Sequence, residues 1–341
     1  MSCSAPEITV VLPFRDAGVF FEEALASLAA QDAPSFEVVL VDDLSVDGSA
    51  DIARRFTSSD SRFRLVEPGR PGIAGALNAG LTAGRGRWAA RMDADDVCTP
   101  DRLRLQLQLA ESLGPRSVTG CLVECTGTAG EGWRVYESWI NSLITPEGME
   151  RSIFVESPVP HPTAFFSREA ILACGGYAEG DFPEDYELWL RLWSRGFVFG
   201  KVPKRLLFWR DSPSRLSRTS SRYSPKAFLR AKAPYLRMAP AFHERPAAIV
   251  WGAGTAGKNL FDAVRGHGIE VVSFVDISPG RIGGTARGRP VLPPAFLQEA
   301  RRLAGGAPVL VAVRTRGGRD SAKASLEGMG LVDWEDFVVC C

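Results

Sequence analysis

Histidine and long apolar runs are what this 341-residue chain has least of. Its three histidines, His161, His243 and His267, leave a four-ligand zinc site hard to assemble, and the one close internal cysteine pair, Cys121 and Cys125, lies in an apolar run. The seven cysteines (Cys3, Cys98, Cys121, Cys125, Cys174, Cys340 and Cys341) form an odd, scattered set that excludes a regular disulfide framework and fits a reducing compartment. No stretch approaches the roughly 20 apolar residues of a membrane span. The opening MSCSAPEITVVLPF has neither the basic region nor the apolar run of a signal peptide, so the expectation is a soluble cytoplasmic protein. Net charge is missing too: 40 Lys+Arg balance 40 Asp+Glu, which argues against a strongly basic nucleic-acid binder. No repeat of solenoid period is visible.

What is present is an ordinary globular composition, 45% hydrophobic and 23% charged with 34 Gly and 23 Pro. At about 100–200 residues per domain, the length favours two domains. The charge balance conceals a split: residues 1–200 carry 17 basic and 29 acidic residues, whereas residues 201–237 carry 11 basic residues and only Asp211. Such a basic block could meet phosphates, an anionic membrane surface or the acidic body itself.

Short β-rich runs alternate with amphipathic ones from the start. Ile8–Pro13, Glu37–Val41, Arg64–Glu67 and Trp88–Met92 read as strands, and Val19–Gln31, Gly48–Phe56, Gly72–Ala83 and Asp101–Ser112 as helices. This is the grammar of an α/β fold with a mainly parallel sheet flanked by helices. Ser117–Cys125 and Thr163–Ser167 read as further strands, Glu184–Ser194 as a helix, Asp211–Ser224 as a mobile loop and Pro225–Arg237 as a closing helix. After a linker at 239–246 the alternation starts afresh, giving expected domains at 1–238 and 247–341.

In open α/β sheets ligands bind at the carboxyl ends of the strands. Here those ends carry aspartates: Asp16 after the first strand, Asp42 and Asp43 after the second, and Asp93, Asp95 and Asp96 after the fourth. Clustered aspartates repel unless a cation or a donor-rich ligand compensates them, and a hard divalent metal such as Mg²⁺ or Mn²⁺ does so while sharing its shell with substrate phosphates. Asp96 reads as the residue opening the next helix ahead of Pro100.

The order and spacing of VVLPFRDAGVFFEEALASLAAQ, FEVVLVDDLSVDGSADIARRF, GIAGALNAGLTAGRGRWAARMDADDVCTPDRLRLQ, SPVPHPTAFFSREAI and GGYAEGDFPEDYELWLRLWSRG resemble family 2 glycosyltransferases of GT-A fold over the first roughly 235 residues. The resemblance implies transfer of a single sugar, with inversion, from a nucleotide-sugar donor, expected to be a UDP-sugar, to a hydroxyl on a glycan or lipid-linked acceptor in polysaccharide or glycolipid synthesis. It implies that Asp43 accepts the base N–H, that Pro13, Arg15 and Asp16 line the nucleotide pocket, that Asp93 lies near the ribose, and that Asp95, with Asp93, holds the metal. Asp185 matches the catalytic base. His161 matches a residue near metal and diphosphate, with structural hydrogen bonding as its other reading. Arg91 would satisfy an aspartate or a phosphate. The Gln-x-x-Arg-Trp element of processive synthases is absent, as is a His often found after an Arg in the Leu207–Ser212 region; Arg215, Arg218 and Arg222 could substitute for it. The basic block makes peripheral attraction to the inner membrane face an expectation.

Residues 247–341 resemble the small Rossmann-like modules of sugar-modifying enzymes. A strand, Ala247–Trp251, runs into Gly252, Gly254 and Gly257, and Asp276 follows a second strand. The expectation is a nucleotide-binding, regulatory or assembly module, taking NAD(P) or another nucleotide, over an oxidoreductase, and the alternative reading of the chain is a bifunctional or NAD-dependent sugar-modifying enzyme working through this module. No Tyr-x-x-x-Lys pair accompanies the glycines.

Overall fold

The computed structural model describes residues 5–127, 130–211 and 215–341. Cys3, residues 128–129 and residues 212–214 of the expected loop therefore lie outside the described residues. The chain divides into two compact units: Met1–Glu150, Pro158–Gly180 and Arg195–Thr219 form the first, and Arg151–Ser157, Asp181–Ser194 and Ser220–Cys341 the second. These units follow different lines from the segments expected at 1–238 and 247–341. The reason is local packing: the helix Pro225–Leu236 lies against the helices Glu184–Ser194 and Thr255–Val264. The expected linker holds a 3-10 turn, Pro240–Phe242, with Phe242 fully buried.

The first unit is built on one sheet. Its strands are β1 (Ile8–Phe14), β2 (Phe36–Asp42), β3 (Phe63–Val66), β4 (Trp88–Arg91), β5 (Val97–Cys98), β6 (Ser117–Gly127), β7 (Phe165–Ser167) and β8 (Val198–Asp211), in the spatial order β3-β2-β1-β4-β7-β6-β8-β5. β1 is parallel to both β2 and β4, and β2 to β3, whereas β7 runs antiparallel to β4 and β6. Every residue of β1 is buried, as a strand covered by helices on both faces requires. The core gathers Val10, Leu12, Leu25, Val38, Leu40, Trp88 and Phe165. Chain order reverses between β1 and β4, so the crevice at their carboxyl ends is the topological switch point.

β5 and β8 have no counterpart in the sequence reading. β8 pairs with β6 over its length, but Pro203 and Lys204 bulge out between Val202, opposite Cys121, and Arg205, opposite Leu122. Proline gives nothing to the ladder and the bulge breaks the alternation of faces, so the sequence pattern fades where the strand continues. The described part of the expected loop 211–224 is a short helix, Leu216–Thr219, and a 3-10 turn, Ser221–Tyr223.

β8 also buries Lys201, whose Nζ donates to the Ile140 carbonyl at 2.5 Å. Burial pulls its pKa down to about 7. Between that value and the ordinary lysine range, the unfolded chain binds a proton the native one lacks, so this residue makes stability rise with pH. Lys201→Met is expected to raise the melting temperature at pH 7 by about 2–4 °C and to flatten the wild-type increase between about pH 7 and 8.5, read by differential scanning calorimetry.

The second unit carries a second, mainly parallel sheet: β9 (Ala247–Trp251), β10 (Glu270–Val275), β11 (Thr285–Ala286), β12 (Arg289–Leu292), β13 (Val309–Val311) and β14 (Phe337–Val339), ordered β11-β12-β10-β9-β13-β14. Only β11 pairs antiparallel. Its core contains Ile249, Val275, Leu297, Val309, Leu326 and Phe337.

Candidate active site

At the switch point, the loops after β1 and β2 are clasped together. The Asp16 carboxylate accepts the N–H groups of Val46 (2.8 Å) and Asp47 (3.3 Å), while its own N–H donates to Ser45 Oγ at 3.1 Å. Asp16 adopts φ +47°, a conformation a short acidic side chain tolerates when it bonds locally. Leu44, with φ +64° and largely exposed, is strained in the same loop. Pro13 is buried near the end of β1, and Arg15 is exposed just beyond it. Asp43 is 7% exposed, and one of its carboxylate oxygens accepts the Gly72 N–H at 2.8 Å.

Beyond β4, Asp93, Asp95 and Asp96 each bring a carboxylate oxygen within 4.8 Å of the others. Asp96 opens no helix: it precedes β5, and the helix it was expected to open begins at Arg102 behind Asp101. One of its oxygens accepts the Arg210 N–H at 2.8 Å, while Oδ2 is buried without a donor. Burial, then the neighbouring charges of Asp93 and Asp95, push the Asp96 pKa well above the usual carboxylate range. Burial and Asp93 raise that of Asp95. An oxygen-only donor set with one orphaned buried oxygen fits a hard divalent cation.

Arg91, buried at the end of β4, forms an ion pair with Asp93. Burial opposes its charge, but Asp93, Tyr177 and Asp96 outweigh that and raise its pKa. His161 is buried, and burial followed by the Arg91 charge drives the imidazole pKa well below its ordinary value, so the ring is neutral at pH 7. Its Nε2 lies 2.9 Å from the Tyr177 hydroxyl. Tyr177 is fixed in turn by Asn78, which accepts its N–H and donates to its carbonyl, both at 2.8 Å. Behind this row Arg102, fully buried, donates to the carbonyls of Arg91 (2.6 Å) and Pro162 (2.7 Å), tying the end of β4 to the His161 turn. Sequence reasoning passed over Arg102 and Tyr177, and noted Arg210 only as the Arg after which relatives often carry a His.

Part of the basic block is paired with carboxylates within each unit. Arg210 donates to the Asp95 carbonyl and to Glu23, Lys204 pairs with Asp101, and Arg218 with Asp211. Arg215 donates to the Arg210 carbonyl. In the second unit, Arg222 lies 3.8 Å from Glu184 and Lys232 is buried on the carbonyls of Phe154, Val155 and Cys340.

Asp185 lies in the first turn of the helix Glu184–Ser194 in the second unit, half-buried, with Oδ1 accepting the Tyr186 N–H at 2.8 Å. In the same unit Gly252 takes φ +109°, and a Cβ on Gly257 would lie 1.7 Å from the Gly252 carbonyl, so only glycine fits there. A Cβ on Gly254 would lie 3.6 Å from the Arg281 guanidinium. Asp276 accepts the N–H groups of Ala253 (2.7 Å) and Ser278 (2.8 Å) and bonds Arg281 at 3.1 Å. Its oxygens thus brace the glycine turn.

Among the described residues no helix is long and apolar enough to cross a membrane. Residues 9–175 match the model of glycosyl transferase family 2. An uncharacterized glycosyltransferase of Haemophilus influenzae is 30% identical over 202 residues, covering 58% of this chain and 73% of that protein. The amylovoran biosynthesis glycosyltransferase AmsE of Erwinia amylovora is 28% identical over 187 residues, covering 54% and 68%. Among solved structures, Staphylococcus aureus TarS residues 1–349 in complex with UDP-GlcNAc gives a TM-score of 0.53 at 18% identity, covering 67% of this chain and 64% of that one. The mannosyltransferase PcManGT from Pyrobaculum calidifontis, in complex with GDP-Man and Mn²⁺, gives 0.50 at 23%, covering 69% and 63%. At these identities the structures share the GT-A fold with this chain, which spans less than two thirds of either.

Proposed function

The chain belongs to glycosyltransferase family 2, and on that premise we propose that it transfers a single sugar, with inversion, from a nucleotide-diphosphate sugar to a hydroxyl on a glycan or lipid-linked acceptor. The observation that carries this reading is the Asp93, Asp95, Asp96 cluster at the switch point, with the buried, donorless Oδ2 of Asp96. Asp95, Asp93 and Asp96 would hold Mg²⁺ or Mn²⁺. When bound, the cation supplies Lewis-acid stabilisation of the diphosphate leaving group.

The protein's own groups take the remaining roles. Asp43, anchored by the Gly72 N–H, keeps acceptor capacity for an imide N–H, the donor that a uracil base offers. Arg91 fixes the orientation of Asp93, and neutral His161 can offer a hydrogen bond without adding charge. Asp185 takes the proton from the acceptor hydroxyl as that oxygen attacks the anomeric carbon. UDP-sugar is the first donor to try, since a fold neighbour was solved with UDP-GlcNAc, although another holds GDP-Man. The name of AmsE supports a place in polysaccharide biosynthesis.

A thermal-shift screen of nucleoside diphosphates and nucleotide-sugars, with and without Mn²⁺, tests the reading on the whole protein. One diphosphate is expected to raise the melting temperature by several degrees only when Mn²⁺ is present, as ligand at 100 times its Kd adds about 2.7 kcal/mol. Stabilisation by no nucleotide under either condition would overturn it.

A further inference from the structure

We infer that the aromatic face of the helix Glu131–Ser142, with Trp209 of β8 and Arg215 beside it, is a subsite that stacks on a pyranose ring of the acceptor. The inference rests on the glycosyltransferase reading and adds to it the class of group that the acceptor must present.

The helix buries only Ile140 fully, yet it carries Trp133, Tyr136 and Trp139 at three-residue spacing, all half-buried. Ring centroids lie 5.5 Å apart for Trp133 and Tyr136, with planes 25° apart, and 5.7 Å for Tyr136 and Trp139. Trp209 adds a fourth ring 4.8 Å from Trp133. Each ring packs one side on the core of the first unit and keeps part of its surface in solvent, which gives an amphipathic aromatic surface of the kind that recognises ligands.

Two observations select the occupant. The array is continuous with the aspartate cluster: Arg215 lies over Trp133 (5.2 Å) and Trp209 (4.8 Å) and donates to the Arg210 carbonyl at 3.1 Å, and the Arg210 N–H is bound to Asp96. Arg215 also already occupies the π faces of Trp133 and Trp209, which disfavours a cationic ligand and leaves a donor-rich guanidinium at the inner end of the ring array. A pyranose meets both halves of this surface, its C–H face lying on the rings and its hydroxyls bonding the guanidinium.

The test uses the whole protein and a panel of methyl pyranosides and their disaccharides, read by saturation-transfer difference NMR, with donor hydrolysis to water measured in parallel. Wild-type protein is expected to saturate the ring C–H protons of at least one glycoside. Tyr136→Ala and Trp139→Ala should weaken that binding about five- to tenfold, Tyr136→Phe should retain it, and donor hydrolysis should stay within twofold in all three. Absence of a ring C–H signal from every glycoside, or equal binding by the alanine variants, overturns the subsite while leaving the donor reading intact. Absence, in the wild type, of both donor hydrolysis and any thermal shift from a nucleoside diphosphate with Mn²⁺ instead overturns the proposed donor reading on which the subsite rests.

Discussion

Asp95→Asn is expected to cut release of nucleoside diphosphate from the donor by about a thousandfold while leaving the metal-free protein at least as stable as the wild type. The first half follows from the site. Lewis-acid stabilisation of a leaving diphosphate is worth several kcal/mol, and each 1.4 kcal/mol is a factor of ten in rate. The second half follows from electrostatics. Burial and the Asp93 charge already raise the Asp95 pKa, so its ionised form is held at a cost. An amide of the same shape relieves that repulsion, and a rise in melting temperature of about 1–2 °C is expected. Because Asp95 and Asp96 are both raised, native protein holds protons that the unfolded chain has released once pH exceeds the ordinary carboxylate range. Stability without metal therefore falls as pH rises through that window, and added Mn²⁺ should suppress the fall. Calorimetry against pH, paired with a diphosphate-release assay, checks both halves. An Asp95→Asn enzyme of undiminished rate would remove Asp95 from the metal site.

Much of the scaffold was legible because local signals agreed. Ile8–Phe14 and Phe36–Asp42 are mainly apolar runs with aspartates at or just beyond their ends, and the helix Glu184–Ser194 begins and ends where its pattern does. Ala247–Trp251 is likewise recovered in full. What stayed hidden depends on partners distant in sequence. Arg102 carries no signal of its own within the helix read at 101–112, yet two carbonyls at the ends of other segments draw its guanidinium into the core. Asp96 reads as a helix-opening residue because its actual partner, the Arg210 N–H, is 114 residues away. β8 is masked by Pro203 and its bulge. The basic block reads as a possible binding surface until its partners Glu23, Asp101 and Asp211 are seen. Composition shows that such charges exist; only the tertiary arrangement shows which are already spent on one another.

The base assignment yields the second large effect. The helix Glu184–Ser194 opens with three acids, Glu184, Asp185 and Glu187. Glu184 is buried, accepts the Tyr223 hydroxyl at 2.8 and 3.1 Å and lies near Arg222. Glu187 accepts Arg191 at 3.0 and 2.9 Å and the Tyr235 hydroxyl at 2.9 Å. Those contacts fix both side chains as braces between the helix and its neighbours. Asp185 is half-buried, and its Oδ1 accepts the Tyr186 N–H of the same turn at 2.8 Å. On the proposed base role, Asp185→Asn is expected to lower transfer by about 10²–10⁴-fold, the range for losing a positioned general base, with the thermal shift from donor and Mn²⁺ unchanged. Glu184→Gln should act differently: it weakens the brace to Tyr223 and Arg222, lowering the melting temperature by several degrees with a much smaller fall in rate at low temperature. Rate and melting temperature measured together separate the two. If Glu184→Gln abolishes transfer while Asp185→Asn retains it, the base is the buried carboxylate and the roles of the two residues are exchanged.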